Sequence, residues 1–314
     1  MSTHGIHHVT GIAGDPQSNV DFYVGVLGLR LVKKTVNFDD PTRYHFYYGD
    51  GLGSPGTVVT FFAWDTRNIK GRPGTGQVTT TSFSVPDQSL DAWSRRLEAE
   101  GFPSGGPQRR FGGQEYVRVM DPDGLEVELV ATPGDTRPGW SRGIVRSCEA
   151  IRGLYGVSLS LAEVEGTEQL LGELLGFRKV AEDGDRTRFE AGQGGAGSTV
   201  DLLHRPDAKS GRIGIGTNHH VAWRVVDDAA QQGLRAALLE RGNDVSEVMD
   251  RTYFRSIYFH EPGGVLFEAA TDPPGFDVDE ERDRLGSELK LPSWLEPRRT
   301  EIEAALPPVV DPSR

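Results

Sequence analysis

Hydrophobic and polar positions follow one order four times along the chain. A short apolar run comes first, a stretch with helical spacing follows it, and two or three more extended runs complete the unit. The helical stretches predicted by this spacing cover residues 16–27, 87–101, 165–175 and 227–241. In the second stretch, Leu90, Trp93 and Leu97 fall on one helix face. The chain is therefore predicted to contain four strand–helix–strand–strand–strand (βαβββ) modules.

Turn and cap residues stand at matching places in these modules. Asp15 suits the N-cap of the first helix, Pro16 suits its first turn, and Gly28 suits its end. The segments DPDG at 121–124 and EPGG at 261–264 each precede the last strand of a module. The recurrence of these turn and cap residues in different modules supports a true internal repeat.

A single βαβββ module cannot bury both its sheet and its helix, so the modules are predicted to pair into cup-shaped half-barrels of an α+β fold. Residues 1–134 are assigned to modules one and two, 135–150 to a linker, and 151–275 to modules three and four. Residues 276–314 are predicted to form a helical C-terminal extension, with 277–289 compatible with a helix. Trp294 and Leu295 indicate that this extension packs on the body.

Composition and charge narrow the class of protein. Of 314 residues, 36% are hydrophobic and 25% charged, which is typical of a globular chain. The net charge of -12 makes nucleic acid or an anionic membrane surface a poor partner. The single Cys148 excludes an internal disulfide, and no apolar run approaches the ~18 residues of a membrane span. We therefore expect a cytoplasmic protein without a membrane partner, and its exposed sheet edges are compatible with a homodimer.

Four of the eight histidines occur as two copies of one pattern. His7 and His8 open the first strand of module one, and His219 and His220 open that of module four. Side chains alternate between the two faces of a strand, so one histidine of each pair should face the inside of a cup and the other should point away. This arrangement predicts a metal site built from two separate strands.

Aligning the modules by their turns identifies which histidine of each pair is the candidate ligand. Only modules one and four offer an imidazole at the shared first-strand position, and module four adds a carboxylate. The first-strand positions are His8, Thr80, Gly156 and His220, and the last-strand positions are Thr60, Glu128, Asp201 and Glu268. We therefore predict that module one pairs with module four around a metal site of His8, His220 and Glu268. Modules two and three should form a structural cup in which Glu128 and Asp201 bind no metal.

Two histidines and one carboxylate on one face are the ligand set of non-haem Fe(II) oxygenases, which keep positions open for substrate and dioxygen. The same set accepts Mn(II) and, at equilibrium, Zn(II), so the ligands alone do not fix the metal. A single strand histidine is more often a packed core residue. The repeated position of His8 and His220, with Glu268 on the last strand, favours a metal site instead.

These features resemble the vicinal oxygen chelate superfamily of glyoxalases and extradiol dioxygenases. Within it, the chain looks like the ring-cleaving hydroquinone 1,2-dioxygenases. The motifs that carry this resemblance are GIHHVT at 5–10, NHHVA at 218–222, GGVLFE at 263–268 and LKLPSWLEP at 289–297. The resemblance implies an Fe(II) enzyme that cleaves a para-dihydroxylated aromatic ring and inserts both atoms of O2. It implies His8, His220 and Glu268 as metal ligands, surrounded by the functional residues His7, Thr10, His219, Arg251 and Tyr258.

Two other classes of function stay open at this point. A glyoxalase-type isomerase normally uses four protein ligands, commonly with two carboxylates, whereas module one offers Thr60 at its last-strand position. A non-catalytic protein that binds a small aromatic needs a cup but no metal. Arg255 also competes with Arg251 for contact with an anionic group. The sequence does not determine the ring substituents of an aromatic substrate.

Overall fold

The computed structural model describes residues 3–38, 40–64 and 69–314. Module one comprises β1 (Ile6–Ala13), α1 (Pro16–Val20), β2 (Arg30–Val36), β3 (Tyr44–Gly49) and β4 (Val58–Ala63). Module two comprises β5 (Gln77–Val85), α2 (Leu90–Ala99), β6 (Gln108–Arg110), β7 (Gln114–Met120) and β8 (Glu126–Ala131). Module three comprises β9 (Gly153–Leu161), α3 (Glu165–Gln169), β10 (Phe177–Asp183), β11 (Arg186–Ala191) and β12 (Thr199–His204). Module four comprises β13 (Thr217–Val225), α4 (Asp228–Glu240), β14 (Met249–Asp250), β15 (Arg255–His260) and β16 (Leu266–Thr271). Two helices continue as π-helical turns, α1 through Asp21–Val26 and α3 through Leu170–Leu174.

The strands form two eight-stranded sheets, each built from two modules. One sheet has the order β14-β15-β16-β13-β1-β4-β3-β2, and the other has the order β10-β11-β12-β9-β5-β8-β7-β6. The modules meet where β1 pairs antiparallel with β13, and where β5 pairs antiparallel with β9. The predicted fold class is confirmed: module one shares a sheet with module four, and module two shares one with module three. The first of these sheets is called the metal cup below, and the other is called the second cup.

The hydrophobic pattern explains why these elements pack as they do. The central strand β1 is buried along its whole length, since one face meets the helices and the other lines the cup. Leu90, Trp93 and Leu97 of α2 are buried together, as their helical spacing predicts. In the part of the chain that the structure describes, no helix is both long and apolar enough to cross a membrane.

The C-terminal extension packs on module one, but little of it is helical. Its regular elements are the 3-10 turns Phe276–Val278, Arg282–Arg284 and Glu296–Arg298 and the helix α5 (Arg299–Ala305). The expectation of a helix over 277–289 is wrong, because the Glu280 carboxylate accepts the backbone N–H groups of Gly286, Ser287 and Glu288. Leu295 is buried as predicted, whereas Trp294 is 56% exposed and touches the body through Phe38.

A buried lysine joins the extension to the metal cup. The Lys33 ammonium group is fully buried on β2, 2.5 Å from Asp279 Oδ1 and 2.7 Å from Glu280 Oε2. It also lies 5.0 Å from the centre of the Tyr253 ring. Next to it, Lys290 donates its backbone N–H to the carbonyl of Lys34, which covers part of the outer edge of β2.

Replacing Lys33 by methionine should lower the free energy of unfolding by about 3 kcal/mol. Removing one partner of a buried ion pair leaves uncompensated buried charge, which costs ~3–5 kcal/mol. We place the effect at the low end because Asp279 is 29% exposed. Urea unfolding measures the change. The control is Lys179→Met, which breaks an exposed pair with Glu182 and should change the free energy of unfolding far less. Equal effects of the two substitutions would contradict this account.

A buried carboxylate closes the turn before β8. Asp121 Oδ1 accepts the backbone N–H groups of Asp123 and Leu125, and the Tyr23 hydroxyl lies 3.3 Å from Oδ2. Burial raises the pKa of Asp121 to about 6, because desolvation of the carboxylate outweighs the hydrogen bonds donated to it. Asp121 therefore connects module two to the helical segment of module one through Tyr23, although burial makes its negative charge unfavourable.

This shift makes stability depend on pH in a defined window. An unfolded aspartate has a pKa of about 3.9, so the folded state binds more protons than the unfolded state between about pH 4 and pH 6. The contribution of Asp121 to the free energy of unfolding should therefore fall with rising pH across this window. Relative to Asp121→Asn, the native protein should lose about 2 to 3 kcal/mol between about pH 4 and pH 7. Parallel stability curves for the two proteins, measured by urea unfolding at several pH values, would refute the assignment.

Candidate metal centre

Two β-bulges place the paired histidines in the metal cup. The register between β1 and β13 shifts at His7 on one strand and at His219 on the other. A bulge adds one unpaired residue, so neighbouring side chains lose strict alternation. As a result, His219 lines the same pocket as His220, and the expectation that it points away is wrong. His7 lies beside His8, with 2.9 Å between their Nδ1 atoms.

Three potential ligands converge at the bottom of the metal cup. Glu268 Oε2 lies 2.8 Å from His220 Nε2 and 3.3 Å from His8 Nε2, and the three side chains have ligand atoms within 4.8 Å of one another. All three are buried. The register explains the convergence: β1 pairs with β13, and β13 pairs with β16, which carries Glu268.

The geometry of these atoms fits a bound cation. Among the described residues, His220 Nε2 and Glu268 Oε2 have no hydrogen-bond partner, although the two atoms lie close together and are buried. Ligand atoms about 2.1 Å from a metal and at right angles to each other lie about 3.0 Å apart, which is close to the separations seen here. Buried polar atoms without a partner are costly, and a metal ion would satisfy both.

The charge states of the cluster also fit metal binding. Burial opposes ionisation of Glu268, but the two imidazoles outweigh it and hold the pKa of the carboxyl well below its ordinary value. Burial lowers the pKa of His220, and the hydrogen bond and charge of Glu268 offset this effect only in part. A neutral imidazole beside an ionised carboxylate is the form in which both groups bind a metal.

Each candidate ligand has an orienting partner on its far side. The Nδ1 atoms of His219 and His220 lie 2.7 Å apart, matching the pair of His7 and His8. The Ser256 hydroxyl donates to Glu268 Oε1. Such contacts behind ligands fix the tautomer and the ring orientation of a ligating histidine.

A pocket of about 160 Å³ opens above the cluster. A cavity of about 150 Å³ is large enough to hold one benzene ring. Of the surrounding residues predicted from the resemblance, Thr10, His219, Arg251 and Tyr258 line this pocket, and His7 does not. Arg255 lies outside it, because its exposed guanidinium pairs with Asp228.

The other residues that line this pocket were not predicted from the sequence. The pocket is completed by Asn37, Phe38, His45, Tyr47, Phe62, Trp64 and Phe254. One signal could have found His45. It occupies the position in module one that Ser256 occupies in module four, two residues from the partner of the last-strand position. In both modules this residue contacts the last-strand side chain, Thr60 or Glu268.

In the second cup, arginine side chains pair with the two carboxylates that correspond to Glu268. Glu128 Oε2 lies 2.7 Å from Arg110 Nη1 and 2.8 Å from Ser82 Oγ. Arg188 binds Asp201 through two parallel hydrogen bonds of 2.7 and 2.8 Å. The two carboxylates equivalent to Glu268 are therefore neutralised by guanidinium groups.

The protein consists of two cup-shaped sheets of paired βαβββ modules, and one cup holds a buried cluster of two histidines and a carboxylate. Together they define a scaffold for binding small molecules in its cups. The chain belongs to the Glyoxalase/Bleomycin resistance protein/Dioxygenase superfamily, whose model matches residues 5–129 and 162–277. This finding confirms the superfamily resemblance of the sequence.

Relatives similar over the whole chain make the comparison more specific. "Putative ring-cleaving dioxygenase MhqO" of Bacillus subtilis (strain 168) is 44% identical over 98% of this chain and 96% of its own. "Chlorohydroquinone/hydroquinone 1,2-dioxygenase" of Sphingobium indicum is 34% identical over 95% of this chain and 94% of its own. A crystal structure described as a "putative dioxygenase" from Bacillus subtilis subsp. subtilis str. 168 superposes with a TM-score of 0.93. It is 44% identical and covers 99% of this chain and 98% of its own.

Proposed function

We propose that this protein is an Fe(II)-dependent ring-cleaving dioxygenase that acts on hydroquinone-type aromatics and inserts both atoms of O2. The observation that carries the proposal is the convergence of His8, His220 and Glu268 on one buried point below a pocket of aromatic size. The ring-cleaving and hydroquinone activities in the names of full-length relatives support it.

His8, His220 and Glu268 would hold the metal, with Mn(II) as the alternative ion that the same donors accept. When bound, the metal supplies a common centre for the ring and dioxygen and a route for electron density between them. The protein contributes orientation. Phe62, Trp64 and Phe254 give the pocket apolar walls that favour a flat ring close to the metal ligands.

The two histidines behind the ligands have different roles in this proposal. His7 is buried beneath His8 and also hydrogen-bonds to the backbone of Thr271, so both of its ring nitrogens have partners within the protein. His219 contacts His220 through Nδ1, and its ring lines the pocket. Burial lowers the pKa of His219 to about 3, so the ring is neutral. His220 would bind the metal through Nε2 and donate its Nδ1–H to His219 Nδ1, which leaves His219 an Nε2–H to donate to an oxygen of the bound ring.

Arg251 and Tyr258 provide polar contacts on another side of the pocket. The Arg251 Nε–H donates to the Tyr258 hydroxyl over 3.1 Å, and the guanidinium carbon lies 5.2 Å from the centre of that ring. Burial raises the pKa of Tyr258, so its hydroxyl keeps its proton. Tyr258 can therefore donate a hydrogen bond to an oxygen of the bound ring, while Arg251 offsets negative charge there.

Thr60 argues against a glyoxalase-type isomerase. It stands where a fourth ligand would lie, and its hydroxyl is 2.6 Å from His45 Nε2. A site with one carboxylate keeps more positions open for two external ligands. A methylglyoxal–thiol assay distinguishes the reactions. Metal-free protein that gains nothing on addition of iron would favour a simple aromatic-binding protein.

The experiment that tests the proposal is a screen of hydroquinones and catechols with protein reconstituted anaerobically with Fe(II). Oxygen uptake should start when hydroquinones are added and should match the amount of ring consumed. The same protein loaded with Zn(II), which has no redox chemistry, should take up no oxygen. The absence of uptake with every dihydroxybenzene tested would overturn the proposal.

A further inference from the structure

A chain of hydrogen bonds runs from the wall of the pocket to a hydroxyl beside the metal ligands. The Tyr47 hydroxyl lies 3.1 Å from His45 Nδ1, and His45 Nε2 lies 2.6 Å from Thr60 Oγ1. Thr60 Oγ1 lies 3.4 Å from Thr10 Oγ1. The side chains of Tyr47, Thr60 and Thr10 are at most 2% exposed. His45, which lines the pocket, is partly exposed.

The sheet register holds this chain in place. Tyr47 on β3 pairs with Thr60 on β4, and Thr60 pairs with Thr10 on β1. His45 lies two residues before Tyr47 on the same face and reaches diagonally to Thr60. Thr10 in turn pairs with His220 across the junction of the two modules. The chain therefore ends directly opposite a candidate metal ligand.

The direction of the hydrogen bonds follows from the acidity of the groups. A phenol is a stronger donor and a weaker acceptor than a neutral imidazole, so the Tyr47 hydroxyl donates to His45 Nδ1. A neutral imidazole then carries its hydrogen on Nε2 and donates it to Thr60. The Thr60 hydroxyl then donates a hydrogen bond to the Thr10 hydroxyl. The hydroxyl hydrogen of Thr10 has no acceptor within the described residues, so it can donate to a molecule in the pocket.

We infer that Tyr47, His45 and Thr60 are positioning residues that aim the hydroxyl hydrogen of Thr10 at an anionic oxygen of the bound ring. This inference rests on the proposed function, because it assigns the ring as an ionised phenol. Without the chain, the Thr10 hydroxyl could rotate and would donate to Thr60 for part of the time. A hydrogen bond to a charged oxygen is about twice as strong as one between neutral groups, so its loss should be measurable.

The test uses 4-nitrophenol, whose absorbance reports its ionisation, bound to Mn(II)-loaded protein without oxygen. Tyr47→Phe and Thr60→Val should each raise the pKa of the bound phenol by about one unit and weaken phenolate binding about tenfold. Thr60→Ser should restore both values. The matched control is Tyr48→Phe, because Tyr48 is the next residue on β3, equally buried, and bonded instead to Asn19. The control should leave the bound pKa unchanged.

The outcomes separate this inference from the proposed function. Unchanged pKa values in Tyr47→Phe and Thr60→Val, or an equal shift in Tyr48→Phe, would overturn the hydrogen-bonded chain. Failure of the native protein to bind 4-nitrophenol would overturn it as well. If the expected pattern appears but the Fe(II) protein consumes no oxygen with hydroquinones, the positioning role stands and the proposed reaction fails.

Discussion

Substituting Glu268 by glutamine should abolish metal binding and oxygen uptake together. The amide cannot supply the negative charge that His8 and His220 face, so two imidazoles alone would hold the ion. Metal catalysis contributes several kcal/mol to a barrier, and about 4 kcal/mol corresponds to roughly a thousandfold in rate. We therefore expect turnover to fall by at least about 10³-fold. We also expect the metal to lose its effect on the melting temperature.

The second cup supplies the matched control for this substitution. Glu128 stands at the equivalent position, is equally buried, and pairs with Arg110. Glu128→Gln should lower stability, since it leaves a buried guanidinium without its charged partner, but metal content should stay the same. Equal metal loss in the two variants would show that Glu268 acts through the stability of the fold.

His219 and His7 should respond differently to substitution by asparagine. At saturating Fe(II), His219→Asn should lower kcat by about 10²- to 10³-fold, the usual cost of removing one hydrogen-bond donor to a developing negative charge. His7→Asn should leave kcat near the native value, because its ring does not reach the pocket. It should instead weaken metal affinity about 10- to 100-fold, as loss of an orienting contact behind a ligand does.

Steady-state kinetics at several Fe(II) concentrations separate the two effects. If His7→Asn lowers kcat at saturating metal as strongly as His219→Asn, the different roles of the two histidines are refuted. If neither variant changes metal affinity, the Nδ1 contacts do not orient the ligands.

Much of the fold could be predicted from the sequence because it repeats. Helical spacing, caps and turns recur at matching positions, and the imidazoles at His8 and His220 required module one to face module four. The sheets show that arrangement. The candidate ligands came together for the same reason, since Glu268 lies on the strand beside His220.

The remaining errors concern features that a repeat does not encode. The bulges at His7 and His219 depend on the pairing register between two distant strands, so simple alternation misplaced the His219 ring. His45 lies on a middle strand, where its neighbour Thr60 becomes evident only once β3 and β4 are paired. In the extension, a charged segment that is compatible with a helix is held in another conformation. The Glu280 carboxylate accepts the backbone N–H of Gly286 and pairs with Lys33. Tertiary contacts decided the conformation of this segment.

The most direct test of the account is a single turnover of the Fe(II)-loaded protein with hydroquinone under isotopically labelled dioxygen. Mass spectrometry of the product follows the oxygen atoms. The account predicts an opened ring that contains both labelled atoms, and no such product from Glu268→Gln. An intact ring, or an opened ring whose added oxygen atoms are unlabelled because they come from water, would contradict it.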